Sequence, residues 1–285
     1  MRPMIKYRGG KSKEIPHIEK YIPSYTGRYI EPFLGGGALY FHLEPECAII
    51  NDINSKLMSF YRGVRDDFDS VKGDLEKMEE LYSANRKTFD RLKAKMPDIR
   101  VEDNNETFYY KVRDMFNGHI EAEYTDAAIY YFINKTAYSG MIRYNALGDF
   151  NVPYGRYKNL NTSFVSERHS LLLQRTEIFN EDYSKIFDMA TNDDFMFLDP
   201  PYDCIFSDYG NEEYRAGFND ESHIALARAF RKLKCKALLV IGRTSLTEQL
   251  YGDYIVDEYD KSYAVNIRNR FKAAAKHILV ANYKK

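Results

Sequence analysis

The chain has 285 residues, 44% of them apolar, and its 41 Lys and Arg against 42 Asp and Glu leave a formal net charge of −1. That length suits one large domain or a core with an insertion, and the composition is that of an ordinary globular protein. No stretch approaches the roughly 20 apolar residues of a membrane span, and "MRPMIKYRGGKSK" has no apolar core of a signal peptide, so neither a membrane protein nor a secreted one is expected.

In chain order, residues 12–22 read as a helix ending at Pro23, and "GRYIEPF" (27–33) as a short strand running into a turn. "GGGALYFHL" opens a helix, and "CAIIND" (47–52) is a second short strand ending on an acid. Residues 53–95 carry apolar positions at three- and four-residue spacing, a helical pattern that returns near 106–117 and 123–138. The stretch "SGMIRYNALGDFNVPYGRYKN" breaks the period and reads as hairpin and loop. Strands resume at 176–183, 195–199 and 236–242, with an amphipathic helix over 221–234 between the last two. "SYAVNIR" and "AKHILVANY" read as two closing strands. The expected fold is therefore an α/β sheet with a large helical insertion.

Charge is uneven along the chain. Residues 261–285 hold seven Lys or Arg and no acid, and 133–158 hold four against one Asp, local patches of the kind that neutralise phosphates. Basic tails are also often merely solvated. Cys47, Cys204 and Cys235 and the six histidines show no metal-ligand spacing, so free thiols in a reducing compartment and no metal are expected. The 25 tyrosines suit base stacking and strands alike.

Three short stretches carry chemistry. "EPFLGGGAL" sets glycines between strand and helix, where backbone approaches a ligand closely. The dinucleotide pattern fails, because Tyr40 stands where its third glycine belongs, but Asp52 at the next strand's end can accept from ribose hydroxyls. "KYRGGKS" is no phosphate loop, since Ile5 replaces the leading glycine; Lys11 can still approach an anionic group. In "FMFLDPPY" a buried strand ends on Asp199, Pro200, Pro201 and Tyr202. Prolines lack N–H, so this turn offers acceptors only. Asp199 and the Pro200 carbonyl suit a planar group bearing NH₂, such as adenine N6, with Tyr202 supplying a stacking face. The same tetrapeptide also suits a plain strand end.

Taken together and in this order, "KYRGGK", "EPFLGGGAL", "NDIN", "SGMIRYNALGDFNVPYGRYK", "DPPY" and "HILVANY" resemble the Dam-like DNA adenine N6-methyltransferases, the α-ordered amino-methyltransferases. The resemblance spans nearly the whole chain. It implies a Rossmann-like sheet with helices on both faces, S-adenosyl-L-methionine as cofactor and double-stranded DNA as partner. It implies a catalytic domain of residues 1–61 and 164–285, and a mainly helical target-recognition domain with a β-hairpin at 62–163. Carried over by position, the catalytic tetrad is Asp199, Pro200, Pro201 and Tyr202. The cofactor residues are Tyr7 (where the family usually has Trp), Lys11, Glu31, Pro32, Phe33, Gly35, Gly36, Gly37, Asp52, Ile53, Asp182 and Tyr183, with Asp199 near the methionine end. The DNA-binding residues are Tyr138, Ser139, Met141, Arg143 as guanine reader, Asn145, Arg156, Tyr157 and Lys158.

Tyr138-Ser139-Gly140 departs from the family's Asn-containing triplet, so a GATC target is a first guess among short palindromes. The loops after Tyr202 and Gly242 depart as well. The resemblance leaves room for a cognate restriction endonuclease, for a monomer or weak dimer, and for the cytoplasm of a bacterium or of a viral host cell. An N4-cytosine methyltransferase, which more often carries Ser in place of Asp199, and a catalytically silent DNA-binding module are the alternatives.

Overall fold

The computed structural model describes residues 1–140, 142–201, 218–261 and 275–284. Among these, seven strands form one sheet: β1 (Tyr29–Glu31), β2 (Ala48–Asn51), β3 (Thr176–Phe179), β4 (Phe195–Leu198), β5 (Lys236–Gly242), β6 (Ile255–Lys261) and β7 (Ala275–Ala281). Their order is β3-β2-β1-β4-β5-β7-β6. The first five are parallel, and β7 runs antiparallel between β5 and β6. This is the Rossmann-like methyltransferase sheet that the resemblance implied.

Both faces are covered, which is why β4 reads as an unbroken apolar run. Its side chains alternate between two cores. Phe195 and Phe197 join Tyr29, Ile50 and Leu238 on one face, while Met196 and Leu198 join Ile30, Ile49 and Leu239 on the other. The first core continues into α2 (Ala38–Leu43), α3 (Ser55–Asp66), α4 (Phe68–Lys95), α5 (Asn104–Phe116), α6 (Asp126–Thr136) and α7 (Glu167–Gln174). The second is covered by α8 (Tyr183–Asp188), α9 (Asp220–Phe230) and α10 (Ser245–Tyr251). At the sheet's N-terminal edge, Asp194 accepts from the Arg28 main-chain N–H at 2.7 Å and from Arg28 Nη2 at 2.9 Å, fastening β4 to β1.

Several boundaries differ from the sequence reading. The helix expected over 12–22 is α1 (Ile15–Ile18) followed by one 3₁₀ turn, because Lys11 to Glu14 turn on their own main-chain bonds before it. The pattern over 53–95 is two helices, broken where Asp67 leaves helical geometry (φ −141°, ψ 52°). The strand expected over 176–183 ends at Phe179, and Asp182 instead caps α8. "IVDEYDK", to which the sequence reading assigned no element, is strand β6, and "SYAVNIR" lies outside the described residues. The expected boundary at residues 61 and 62 falls inside α3, which packs on both α6 and α7. No helix among the described residues is long and apolar enough to cross a membrane.

Candidate functional site

The order of strands reverses between β1 and β4, so a crevice opens at their carboxyl ends, where open α/β sheets bind ligands. β1 delivers Glu31 to that crevice, β2 delivers Asp52 and β4 delivers Asp199.

The turn after β1 is built for close approach. Gly35 and Gly37 have φ of +50° and +64°, the left-handed region that L side chains rarely adopt. The Tyr7 ring lies directly on this turn: a Cβ at Gly35 would come within 2.7 Å of Tyr7 Cε1. Asp52 holds the loop, accepting from Gly35 N at 2.8 Å and from Asn54 N at 3.0 Å, and Tyr61 donates to Gly35 O at 2.9 Å. Two asparagines that the sequence reading missed staple the strand ends. Asn51 donates to Pro32 O and Glu181 O and accepts from Glu181 N; Asn180 donates to the carbonyls of Asp52 and Ile53. Phe33 packs against Tyr183 at 5.2 Å between ring centres, on the side where α8 begins. The Asp182 carboxylate is used locally, accepting from Ser184 N at 2.9 Å.

Charge converges beside this loop. Lys11, only 2% exposed, pairs with Asp199 Oδ2 at 2.7 Å and donates to Gly9 O at 2.7 Å. Glu31 is buried as well and accepts from Tyr29 OH at 2.6 Å. Burial, with the Asp199 charge adding to it, pushes the Glu31 carboxyl up to about 8; the Tyr29 hydroxyl and Lys11 pull the other way. The Glu31 carboxyl, protonated below about pH 8, can exchange that proton for a further cation. Burial foremost, then the Asp52 charge, holds the Tyr7 hydroxyl in its neutral form. Pro200 is buried and Pro201 half-buried at the end of β4. Tyr202 and Met141 lie outside the described residues.

The hairpin projects from the end of α6. Bridges Ala137–Tyr154 and Tyr144–Phe150 set its register. Asn145 builds the tip, its side-chain oxygen accepting from the N–H groups of Leu147 and Asp149, both at 2.9 Å. Arg143 is exposed but held: its Nε donates to Asn151 Oδ1 at 2.8 Å. Tyr138 and Ser139 are exposed at the hairpin's base, Ser139 in the left-handed region at φ +57°. Arg156 (φ +55°) reaches Glu106 at 3.4 Å, and Lys158 is exposed. Lys6 Nζ sits 4.4 Å from the centre of the Tyr157 ring, beside a cleft also lined by Arg2, Lys135 and Phe164. Asn134 pairs reciprocally with the Lys6 main chain, at 2.9 and 2.8 Å, so the N-terminal segment is fastened to the helix that carries the hairpin.

The structure thus gathers Tyr7, Lys11, Glu31, Gly35, Asp52 and Asp199 in one region and sets Tyr138, Arg143, Arg156 and Tyr157 on another. Among the described residues, no group of three or more His, Cys, Asp or Glu is placed to hold a metal.

A family model described as D12 class N6 adenine-specific DNA methyltransferase matches residues 7–267. Type II methyltransferase M.CviBI of Paramecium bursaria Chlorella virus NC1A is 34% identical over 99% of this chain and 100% of its own length. Type II methyltransferase M.MjaIII of Methanocaldococcus jannaschii is 34% identical over 98% of this chain and 93% of its own. A protein named DNA adenine methylase from Haemophilus influenzae is 28% identical over 88% and 83%, respectively.

Proposed function

The chain belongs to the D12 class of N6 adenine-specific DNA methyltransferases, and from that premise we propose that it moves the methyl group of S-adenosyl-L-methionine to adenine N6 at a short palindromic duplex site. The observation that carries the reading is the meeting of Glu31, Lys11 and Asp199 at the β1–β4 switch point, beside the glycine loop held by Asp52.

The residues present fit the cofactor. Asp52 suits the ribose hydroxyls, Gly35 to Gly37 allow main-chain approach, and Phe33, Ile53 and Tyr183 border the place of a purine. The acidic pair Glu31 and Asp199 favours a ligand that is cationic at its amino-acid end. When bound, S-adenosylmethionine supplies an electrophilic methyl on a sulfonium. Asp199 and the Pro200 carbonyl, both acceptors, draw the amine hydrogens out of the ring plane and favour a tetrahedral nitrogen. On taking the methyl carbon, whose bond to sulfur breaks with the electron pair left on the sulfur, the nitrogen would gain positive charge, which the preorganised acceptors would stabilise until one proton passes to solvent. Tyr202, matched to the tetrad's aromatic position, stacks on the base. A paired adenine is unreachable in the duplex, so the target nucleotide turns out of the stack.

Arg143, Tyr138, Ser139, Met141 and Asn145 on the hairpin read or pack against the site, and Arg156, Tyr157 and Lys158 meet phosphate near the extruded base. Residues 62–163 act as the recognition unit on a catalytic unit of 1–61 and 164–285. The type II names of two relatives favour a restriction–modification setting with a cognate endonuclease, in the cytoplasm where the DNA is.

The test is incubation with methyl-labelled cofactor and duplex DNA, followed by identification of the labelled nucleoside and sequencing of the methylated sites. N6-methyladenine in one short palindrome is expected, with GATC the first candidate. Label in N4-methylcytosine, or none, overturns the reading.

A further inference from the structure

Glu14 is a buried carboxylate that the reaction described above leaves without a task. It is 4% exposed and follows Lys11 by one turn: Glu14 N donates to Lys11 O at 2.7 Å, and Ile15 N donates to the same carbonyl at 3.1 Å. Its side chain accepts from Tyr259 OH at 2.6 Å and from His277 Nδ1 at 2.8 Å, and it pairs with Lys261. An ionised carboxylate only accepts, so His277 must carry a proton on Nδ1. His17 stacks on Tyr259 with 4.7 Å between ring centres. The donors come from β6 (Tyr259, Lys261) and β7 (His277), so one carboxylate joins the N-terminal segment to the outer antiparallel strands.

Burial of a charge is a poor way merely to join two surfaces. Taking a carboxylate out of water costs several kcal/mol, and packed apolar side chains often do as well or better. What an ionic junction adds is direction, because each hydrogen bond fixes the carboxylate's orientation. Three residues upstream stands Lys11, whose carbonyl is held by the Glu14 N–H and whose ammonium meets Asp199. Charges therefore alternate from Asp199 to Lys11 to Glu14 to Lys261, from the proposed catalytic acid to the edge of the sheet. The Glu14 charge acts on the Lys11 ammonium, so without it the pull of Asp199 on that ammonium weighs more. The ammonium then moves closer onto Asp199 and competes with the incoming amine for the same oxygens.

We propose that Glu14 is a positioning residue for methyl transfer, holding the Lys11 ammonium at a fixed place beside Asp199 so that the acid is oriented but still open to the amine. This rests on the reading of Asp199 as the group that receives adenine N6.

The test uses the full chain, saturating S-adenosylmethionine and cognate duplex, with single-turnover rate, cofactor Kd and melting temperature measured for each variant. Glu14→Gln is expected to slow transfer about tenfold or more while cofactor Kd stays within about threefold. Because Glu14 acts through Lys11, Lys11→Gln and the double variant Lys11→Gln/Glu14→Gln should agree in rate within about twofold. A wild-type rate in Glu14→Gln, or losses that multiply in the double variant, overturns the proposal. Tyr259→Phe keeps the charge and removes one donor, and a rate loss of about two- to fivefold is expected. Should Glu14→Gln fail to fold, an unchanged rate in Tyr259→Phe overturns the role instead. The wild-type control separates the two readings, since absence of N6-methyladenine there refutes the reaction and not the role of Glu14.

Discussion

Glu31 allows the cofactor site to be tested without measuring methyl transfer. Its carboxyl, buried and close to the Asp199 charge, sits at about 8. At pH 6.5 about 97% of unliganded molecules therefore hold the proton on Glu31. A ligand whose cationic end settles against this carboxyl favours the ionised form. Binding should then release close to one proton, at a cost of about 2 kcal/mol for the pKa gap of roughly 1.5 units. Titration calorimetry with S-adenosylmethionine at pH 6.5, in phosphate and in imidazole buffer, reads the release from the difference in binding enthalpy. Glu31→Gln retains an acceptor for Tyr29 and should release no proton. Equal enthalpies in the two buffers for the wild type, or the same release from the variant, refute the argument. Stability supplies an independent check of sign. A carboxyl raised from 4.5 in the unfolded chain contributes stability that is full below pH 4.5 and lost as pH rises through about 8. The unliganded protein should lose on the order of 3 kcal/mol from this group between pH 4.5 and 7, and Glu31→Gln should flatten that slope.

Three further outcomes follow from the geometry. Asp199→Ala should lower the rate of transfer at least about 100-fold, the scale for loss of one preorganised transition-state partner, while cofactor binding, to which Glu31 and the glycine loop also contribute, weakens far less; retained turnover removes Asp199 from its role. Arg143→Ala should cost about 1–3 kcal/mol of base discrimination, and Asn151→Ala, which frees the guanidinium from its 2.8 Å partner, should cost part of the same amount. Unchanged selectivity in the sequenced methylated sites rejects Arg143 as reader. Asp194→Ala should destabilise the fold by about 2–3 kcal/mol, measured by denaturant unfolding, because the Arg28 and Thr191 donors lose a charged acceptor. Burial opposes ionisation of Asp194, but those donors outweigh it and hold the carboxyl down at about 2. Its contribution is thus present above pH 3.8 and lost as pH falls through about 2, and a wild type whose acid unfolding matches that of the variant rejects the account.

The strands that the sequence showed best are those buried on both faces. "FMFL" and "KALLVIG" are unbroken apolar runs because helices cover each side, and their limits were met within a residue. β6 escaped because "IVDEYDK" is charged and lies at the sheet's edge, where one face meets water. Asp67 escaped because apolar spacing continues across it, and periodicity does not register a change of helix axis. At the site, Asp52, Gly35 and Asp199 were legible because each needs a particular residue type at a strand end. Asn51, Asn54 and Asn180 were not, since an asparagine that staples two loops looks in sequence like any turn residue; only the fold brings residues 51 and 181 within 3.0 Å.

The segment from Lys6 to Glu14 has almost no regular structure, yet it touches every part of the proposed reaction. Its Lys6 main chain pairs with Asn134, at the base of the hairpin that would read the DNA. Tyr7 lies on the glycine loop of the cofactor site, Lys11 meets Asp199, and Glu14 is locked to β6 and β7. Each contact is tertiary, so no periodicity in the sequence marks it, and each holds a different functional part in register with the others. The two hydrogen bonds of Asn134 are thus a physical connection on this segment through which hairpin and acid could be coupled. Asn134→Ala cuts that link without touching either site. It should weaken the contrast in single-turnover rate between cognate and mismatched duplex while leaving cofactor affinity unchanged; an undiminished contrast shows that the hairpin and the acid act independently.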